Sequence, residues 1–195
     1  MNAPATGKRK TAVVVMGVAG CGKSTVGQML ARRLGWPFAE ADDFHSEANV
    51  AKMAASTPLT DEDRGPWLES IRKWIDDTAS DSVVTCSALR RSYRDILRGA
   101  QANVRFLHLN GTQEAIAARM AARADHFMPT SLLVSQVATL EPLQSDENGV
   151  VLEIGGRPEE IVTSAIRVLG LGEVAARHGD LEPDQTSQSG VEQSP

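Results

Sequence analysis

An apolar, β-branched run, Ala12-Val13-Val14-Val15-Met16, stops at Gly17-Val18-Ala19-Gly20-Cys21-Gly22-Lys23-Ser24 and gives way to the amphipathic stretch Thr25 to Leu34. Such a run reads as a buried strand and the stretch after it as a helix, so the glycines form the turn between them. In that setting consecutive backbone N–H groups turn inward around an anion at a helix N-terminus. The segment reads as a phosphate-binding loop. Gly17, Val18, Ala19, Gly20, Cys21 and Gly22 line it, Lys23 reaches the β- and γ-phosphates of ATP, Ser24 offers a hydroxyl to Mg²⁺, and Thr25 completes the ATP-binding segment.

The rest of the chain repeats the strand–helix alternation. Further strands are expected at Pro37 to Glu40, Ser82 to Cys86, Val104 to Leu109 and Val150 to Ile154. Helical spacing covers Ser46 to Ala55, Asp61 to Thr78, Arg90 to Arg98, Gln113 to Arg123, Ser131 to Leu140 and Pro158 to Leu169. In the second of these, Trp67, Ile71, Trp74 and Ile75 form an apolar stripe, and its aromatics belong to the core. Strands separated by helices of this length give right-handed βαβ units. The expected fold is α/β: a three-layer α/β/α P-loop NTPase arrangement with a five-stranded parallel sheet and a helical lid. The domain spans residues 11–172. Residues 119–140, interrupted by Asp125-His126-Phe127-Met128-Pro129, read as the lid, while residues 1–10 and the polar tail 173–195 are expected to be disordered.

At 195 residues the chain suits one domain. No apolar stretch approaches the roughly 20 residues that cross a bilayer, and the basic Lys8-Arg9-Lys10 reads as a solvated terminus rather than part of a secretory signal. A net charge of -5 disfavours nucleic acid as a partner and leaves a small anion as the better one. Two cysteines, Cys21 and Cys86, do not make a disulfide framework; they read as inert small side chains in a cytoplasmic protein. A homodimer is left open.

Ligands of an open parallel sheet bind beyond the carboxyl ends of its strands. That rule gathers Lys23 and Ser24, then Glu40, Asp42 and His45, then Ser87, Arg90 and Arg91, and finally Arg119, Arg123 and His126. The third strand lacks a Walker-B aspartate, so Glu40 and Asp42 are expected to support Mg²⁺ on Ser24, and Asp42 to orient or deprotonate an attacking hydroxyl. Arg64, Arg90 and Arg91 are candidates for an acidic group on the substrate. Arg94 and Arg98, four residues apart on the same helix, fit a solvated face at least as well as a ligand role. Arg119 and Arg123 precede the lid and could neutralise charge during phosphoryl transfer. The loop ending at Arg157 and Pro158 is where the adenine should lie.

With these residues placed, the chain resembles the gluconokinases, small phosphate-loop kinases similar to shikimate kinase. The likeness rests on Met16 to Ser24; on Asp42, His45, Asn49, Lys52 and Met53; and on Pro58-Leu59 with Asp61, Asp63, Arg64, Pro66, Trp67 and Leu68. It continues through Cys86-Ser87-Ala88-Leu89-Arg90-Arg91, Tyr93-Arg94-Asp95, Leu97-Arg98, Arg119, Arg123, His126-Phe127, Leu133, Ser135-Gln136 and Leu140-Glu141. The resemblance implies transfer of the ATP γ-phosphate to the 6-hydroxyl of D-gluconate with Mg²⁺, and a gluconate pocket including Asp42, His45, Lys52, Arg64, Ser87, Arg90, Arg91 and His126. Ala41 stands where the family usually shows glycine, Ser46 where it often shows proline, and Arg90 where it often shows lysine. A kinase of another small hydroxy acid such as shikimate is the alternative enzyme. A non-metabolic nucleotide-binding protein is the other alternative, but a GTPase would need an Asn-Lys-x-Asp motif that the chain lacks.

Overall fold

The computed structural model describes residues 9–55, 57–121 and 130–172. In chain order the elements are β1 (Thr11–Met16), α1 (Lys23–Leu34), β2 (Phe38–Glu40), a 3-10 turn (Ala41–Phe44), α2 (Glu47–Ala54), α3 (Asp61–Asp77), β3 (Ser82–Thr85) and α4 (Arg91–Arg98). They continue with β4 (Asn103–Asn110), α5 (Gln113–Ala121), α6 (Thr130–Thr139), β5 (Gly149–Glu153) and α7 (Pro158–Val168). The sheet is five-stranded in the order β2-β3-β1-β4-β5, and every neighbouring pair is parallel. The chain therefore runs from β1 outward to β2, returns to β3, and then passes β1 to reach β4. The ends of β1 and β3 lie side by side at the point where the winding reverses, which is where a crevice opens in such sheets.

Alternation along β1 builds both cores. Val13 and Val15 face one side, with Leu30, Leu34, Leu107, Ile161 and Ile166. Ala12, Val14 and Met16 face the other, with Leu68, Ile71, Ile75, Leu97 and Phe106. All five of the expected strands are present, with ends shifted by a residue or so, and the helix starts have local causes. Ser46 caps α2 by accepting from the Asn49 amide. Thr60 and Asp63 form a reciprocal capping box at α3, a pairing worth about 1 kcal/mol. The Ala41 substitution proves harmless because that residue sits in the 3-10 turn; among described non-glycine residues only Ala88 has positive φ. Among the described residues no helix is long and apolar enough to cross a membrane.

Two readings need correction. Lys10 is not a loose basic residue: its Nζ donates to the carbonyls of Asp76 at 2.7 Å and Thr78 at 2.5 Å, the electronegative C-terminal end of α3. Arg94 is not on a solvated face at all. Its side chain is 0% exposed, as is that of Glu147, and all three guanidinium nitrogens are used. Nε and Nη2 hold the Glu147 carboxylate at 2.5 and 2.9 Å. Nη1 donates to the carbonyls of Ala88, Leu89 and Glu141 at 3.1, 3.2 and 3.1 Å. Burial would push the Glu147 carboxyl up; the Arg94 hydrogen bond, the Gln144 amide and the nearby arginine charges outweigh it and hold the group below its usual range. Arg98, by contrast, keeps the expected partial exposure and pairs with Asp95 at 3.0 Å.

Removing one partner of a buried pair strands the other, at a cost of about 3–5 kcal/mol. Arg94→Met should therefore lower the urea midpoint strongly, and Arg94→Met combined with Glu147→Leu should recover much of the loss. A single-variant midpoint no lower than that of Lys73→Ala, which breaks only an exposed pair, would show that Arg94 holds nothing together. Stability should also depend on pH through His108. Burial first, and then the Arg94 charge, lowers its pKa from 6.5, and His45 is likewise lowered by burial. The unfolded chain takes up these protons first, so stability is full above 6.5 and declines as pH falls below it. Thermal midpoints of His108→Gln should fall less steeply than wild type between pH 6.5 and about 5; parallel slopes would exclude the group.

Candidate active site

The phosphate loop connects β1 to α1 through backbone that side chains resist. Gly17 has φ 137° and Gly20 φ 80°. A Cβ at Gly17 would stand 2.7 Å from the Leu109 carbonyl oxygen, and one at Gly20 would strike Met120. Cys21 fills the space beneath the loop and is fully buried, so it contributes its backbone to the cradle rather than its thiol. Burial pushes the Cys21 thiol up and the Cys86 thiol up to about 12, which keeps both protonated and inert, as expected. The Lys23 ammonium folds back on its own loop, donating to the carbonyls of Gly17 and Val18, both at 3.1 Å. Val18 is buried, Ala19 is half-exposed, and Ser24 and Thr25 in the first turn of α1 are exposed.

Beside the loop lie the ends of β2 and β3. The Cys86 amide donates to Val15 O at 3.0 Å and the Gly17 amide to Ser87 O at 3.3 Å, so the segment carrying Ser87 is bonded directly to the phosphate loop. At the end of β3, which carries no aspartate, the Thr85 hydroxyl donates to the Glu40 carboxylate across the β2–β3 pair. Asp42 projects from the exposed 3-10 turn that follows. Among the described residues no three His, Cys, Asp or Glu side chains gather into a metal cluster. The hydroxyl of Ser24 and the carboxylates of Glu40 and Asp42 are hard oxygen donors, the set that suits Mg²⁺ bound largely through water and substrate phosphates.

A second group forms around α3 and α4. Asp61 accepts from Arg90 Nη1 at 2.7 Å and from the Tyr93 hydroxyl at 2.5 Å, and Arg64 approaches the same carboxylate at 3.7 Å. Both guanidinium carbons lie 5.8 Å from the centre of the Tyr93 ring. The Tyr93 hydrogen bond chiefly, with the two arginine charges, lowers the Asp61 pKa. His45 stacks on Trp67 with ring centres 4.4 Å apart, while Trp67 Nε1 donates to Ala41 O at 2.6 Å. Burial lowers the His45 pKa, opposed by Asp42 and aided by Arg64, so Asp42, His45 and Arg64 share one electrostatic environment.

Other expected site residues are committed elsewhere. Lys52 grips Asp63 at 2.7 and 2.8 Å and braces α2 against the start of α3. Arg91 holds Asp146 through two bonds of 2.9 and 2.6 Å, away from the Arg64–Arg90 pair. Arg119 donates to the carbonyls of Ile154 and Gly156 at the loop where Arg157 caps α7 and Pro158 begins it. Arg157 is 78% exposed and pairs with Glu160. Arg123 and His126 lie outside the described residues. Sequence reasoning gave no role to Asp61, Tyr93, Thr85 or Gln136; the Gln136 side-chain oxygen accepts from the Ala19 amide at 2.6 Å.

Residues 19–169 match the family model described as shikimate kinase. The chain is 45% identical over 158 residues to the gluconokinase of Gluconobacter oxydans (strain 621H), covering 80% of this chain and 89% of that one. The chain belongs to the gluconokinase family. Two solved structures agree. A gluconokinase from Sinorhizobium meliloti 1021 superposes with a TM-score of 0.77 at 42% identity, over 84% of this chain and 94% of that chain. An unliganded sugar kinase from Janibacter sp. HTCC2649 gives 0.78 at 50% identity, over 83% and 95%. The three-layer P-loop kinase fold follows, and the chain is a phosphotransferase acting on an alcohol group.

The loop geometry makes a direct prediction. Gly17→Ala forces a Cβ into left-handed backbone, costing about 1–2 kcal/mol, and against a carbonyl oxygen as well. ADP affinity measured by calorimetry should drop at least about tenfold; a change within twofold would mean that this glycine does not shape the cradle.

Proposed function

We propose that this chain transfers the γ-phosphate of ATP to the 6-hydroxyl of D-gluconate, yielding 6-phospho-D-gluconate and ADP. The observation that carries the reading is the Arg64–Arg90 pair flanking Tyr93, with Arg90 bonded to Asp61 and Arg64 to Leu59 O at 2.6 Å, in the same family of folds as enzymes named gluconokinases. A sugar acid has one carboxylate and a row of hydroxyls, and paired guanidinium groups supply the charge that holds such an acid while leaving its far hydroxyl free to approach the phosphates.

In this reading the phosphate loop from Gly17 to Gly22 and the first turn of α1 hold the triphosphate. Lys23 moves from the carbonyls of Gly17 and Val18 onto the β- and γ-phosphates. Ser24, with Glu40 and Asp42 behind it, would hold Mg²⁺, which supplies charge neutralisation when bound. Asp42 orients the attacking hydroxyl and accepts its proton as the bond to phosphorus forms, a modest demand in a largely dissociative transfer. His45, its pKa lowered by burial, stands by as a neutral hydrogen-bonding group for the sugar, and Ser87 offers a further polar contact. Arg119 acts from the adenine side, and residues 119–140, including Arg123 and His126, serve as the lid.

An ADP-release assay across gluconate, glucose and shikimate tests the substrate. Gluconate should be turned over, while glucose, which shares most of the hydroxyls, should fail because it leaves the arginines unmatched. Turnover of glucose at a comparable kcat/KM would overturn the assignment. Arg64→Ala should raise the KM for gluconate at least about tenfold, the loss of one charged hydrogen bond, with the KM for ATP unchanged. Equal effects on both would take Arg64 out of the acceptor pocket.

A further inference from the structure

Gln136 is a polar residue on the inward face of α6. Leu133, three residues before it, is fully buried in the core, and Leu140, four residues after it, packs against both core clusters; that spacing puts all three on one side of the helix. The C-terminal end of the helix is pinned. The Glu141 amide donates to Leu89 O at 2.8 Å, the Glu141 carboxylate accepts from the Arg91 amide at 2.6 Å, and the Glu141 carbonyl accepts from the buried Arg94. Gln136 is thus presented to the phosphate loop, 117 residues away in sequence, from a helix held at its C-terminal end.

The contact it makes there is one-sided. The Ala19 amide donates to Oε1 at 2.6 Å, and since a backbone N–H can only donate, the orientation of the carboxamide is set: its oxygen faces the loop and its NH₂ points away. Nε2 has no partner among the described residues. The two donors on Nε2 lie on the side of the carboxamide away from the Ala19 amide, available to water or to an acceptor bound at the loop. The location says which acceptor. Ala19 follows directly on Gly17 and Val18, whose carbonyls hold the Lys23 ammonium, and that ammonium is the group that meets the terminal phosphates. Ala19 and the side chain fixed upon it therefore share the corner of the loop used by the γ-phosphate.

We propose that Gln136 is a further catalytic residue: anchored through Oε1 to the Ala19 amide, it donates from Nε2 to an equatorial oxygen of the γ-phosphoryl group. The inference rests on the kinase reading above. During transfer the bond from the γ-phosphorus to the β–γ bridging oxygen breaks, its electron pair leaving with ADP. A bond from the acceptor hydroxyl oxygen to phosphorus forms, and the hydroxyl proton passes to Asp42. Gln136 exchanges no proton. It stabilises charge on the oxygens of the group in flight, and by holding the Ala19 peptide it keeps that donor aimed without reorganisation.

Gln136→Glu separates this role from a simple latch, because a carboxylate still accepts from the Ala19 amide but presents an acceptor in place of a donor to the phosphate. Binding is measured by calorimetry with ADP and with a β,γ-imido analogue of ATP. The variant should bind ADP within about twofold of wild type, bind the analogue at least about tenfold less tightly, and lose kcat with gluconate by about ten- to a hundredfold at little-changed KM. Gln136→Ala, which also frees the Ala19 amide, should fold and show the same loss of preference for the triphosphate. Wild-type preference and rate in Gln136→Glu would reduce Gln136 to a latch, and equal weakening of both nucleotides would make it merely structural; either result overturns the proposal. The binding arms use no acceptor, so failure of wild type to phosphorylate gluconate would refute the substrate reading while leaving this test intact.

Discussion

The interaction on which the site depends is the buried pair of Arg94 and Glu147. A guanidinium without exposure is tolerable only when all its donors are used, and here they are distributed between two parts of the chain. On one side are the carbonyls of Ala88 and Leu89 in the segment after β3; on the other are Glu141, Pro142 and Glu147 in the segment after α6. An apolar replacement of similar volume could match the stability of such a pair, but it could not hold six backbone and side-chain oxygens in fixed directions. The arginine thus sets geometry more than it supplies energy.

That geometry reaches the phosphate loop in two steps. Ala88 has φ 45°, a conformation that costs a residue with a Cβ about 1–2 kcal/mol, and its carbonyl is one of those held by Arg94. The strained turn aims Ser87 O at the Gly17 amide, at the first glycine of the cradle. From the other side, Leu89 O fixes the Glu141 amide and hence the end of α6, which carries Gln136 onto Ala19. Both arms of the phosphate loop are therefore braced through the surroundings of one buried side chain, so damage to the α4 core would be felt at the nucleotide.

The fold was legible because its determinants are local. Three glycines between a β-branched run and an amphipathic helix, the spacing of Trp67, Ile71 and Ile75, and the position of Pro158 each act over a few residues, and the parallel sheet follows from the alternation they mark. Long-range polar partners were not legible. Arg94 and Arg98 have the same spacing pattern as a solvated pair, and only the arrival of Glu147, 53 residues on, distinguishes them. Arg91 and Lys52 looked equally suited to an anion until Asp146 and Asp63 took them. Among the expected acceptor residues, Arg64 and Arg90 are the two that share one carboxylate. Gln136 carries no charge and no periodic signal, so its contact with Ala19 could be found only in three dimensions.

The Asp61 carboxylate explains how two arginines can stand ready beside each other. Like charges side by side repel, and a flexible pair would spread into solvent and lose rotamer freedom again on every binding event. Asp61 accepts from Arg90, approaches Arg64 and is itself fixed by the Tyr93 hydroxyl, while the Tyr93 ring lies beneath both guanidinium groups. The cluster carries one positive charge in excess, from two cations and one anion. That excess matches a single carboxylate, whereas a doubly charged phosphate would be left under-neutralised and a neutral sugar would leave the charge unmatched. On the gluconokinase reading, the balance among Arg64, Arg90 and Asp61 suits a monoanionic acceptor.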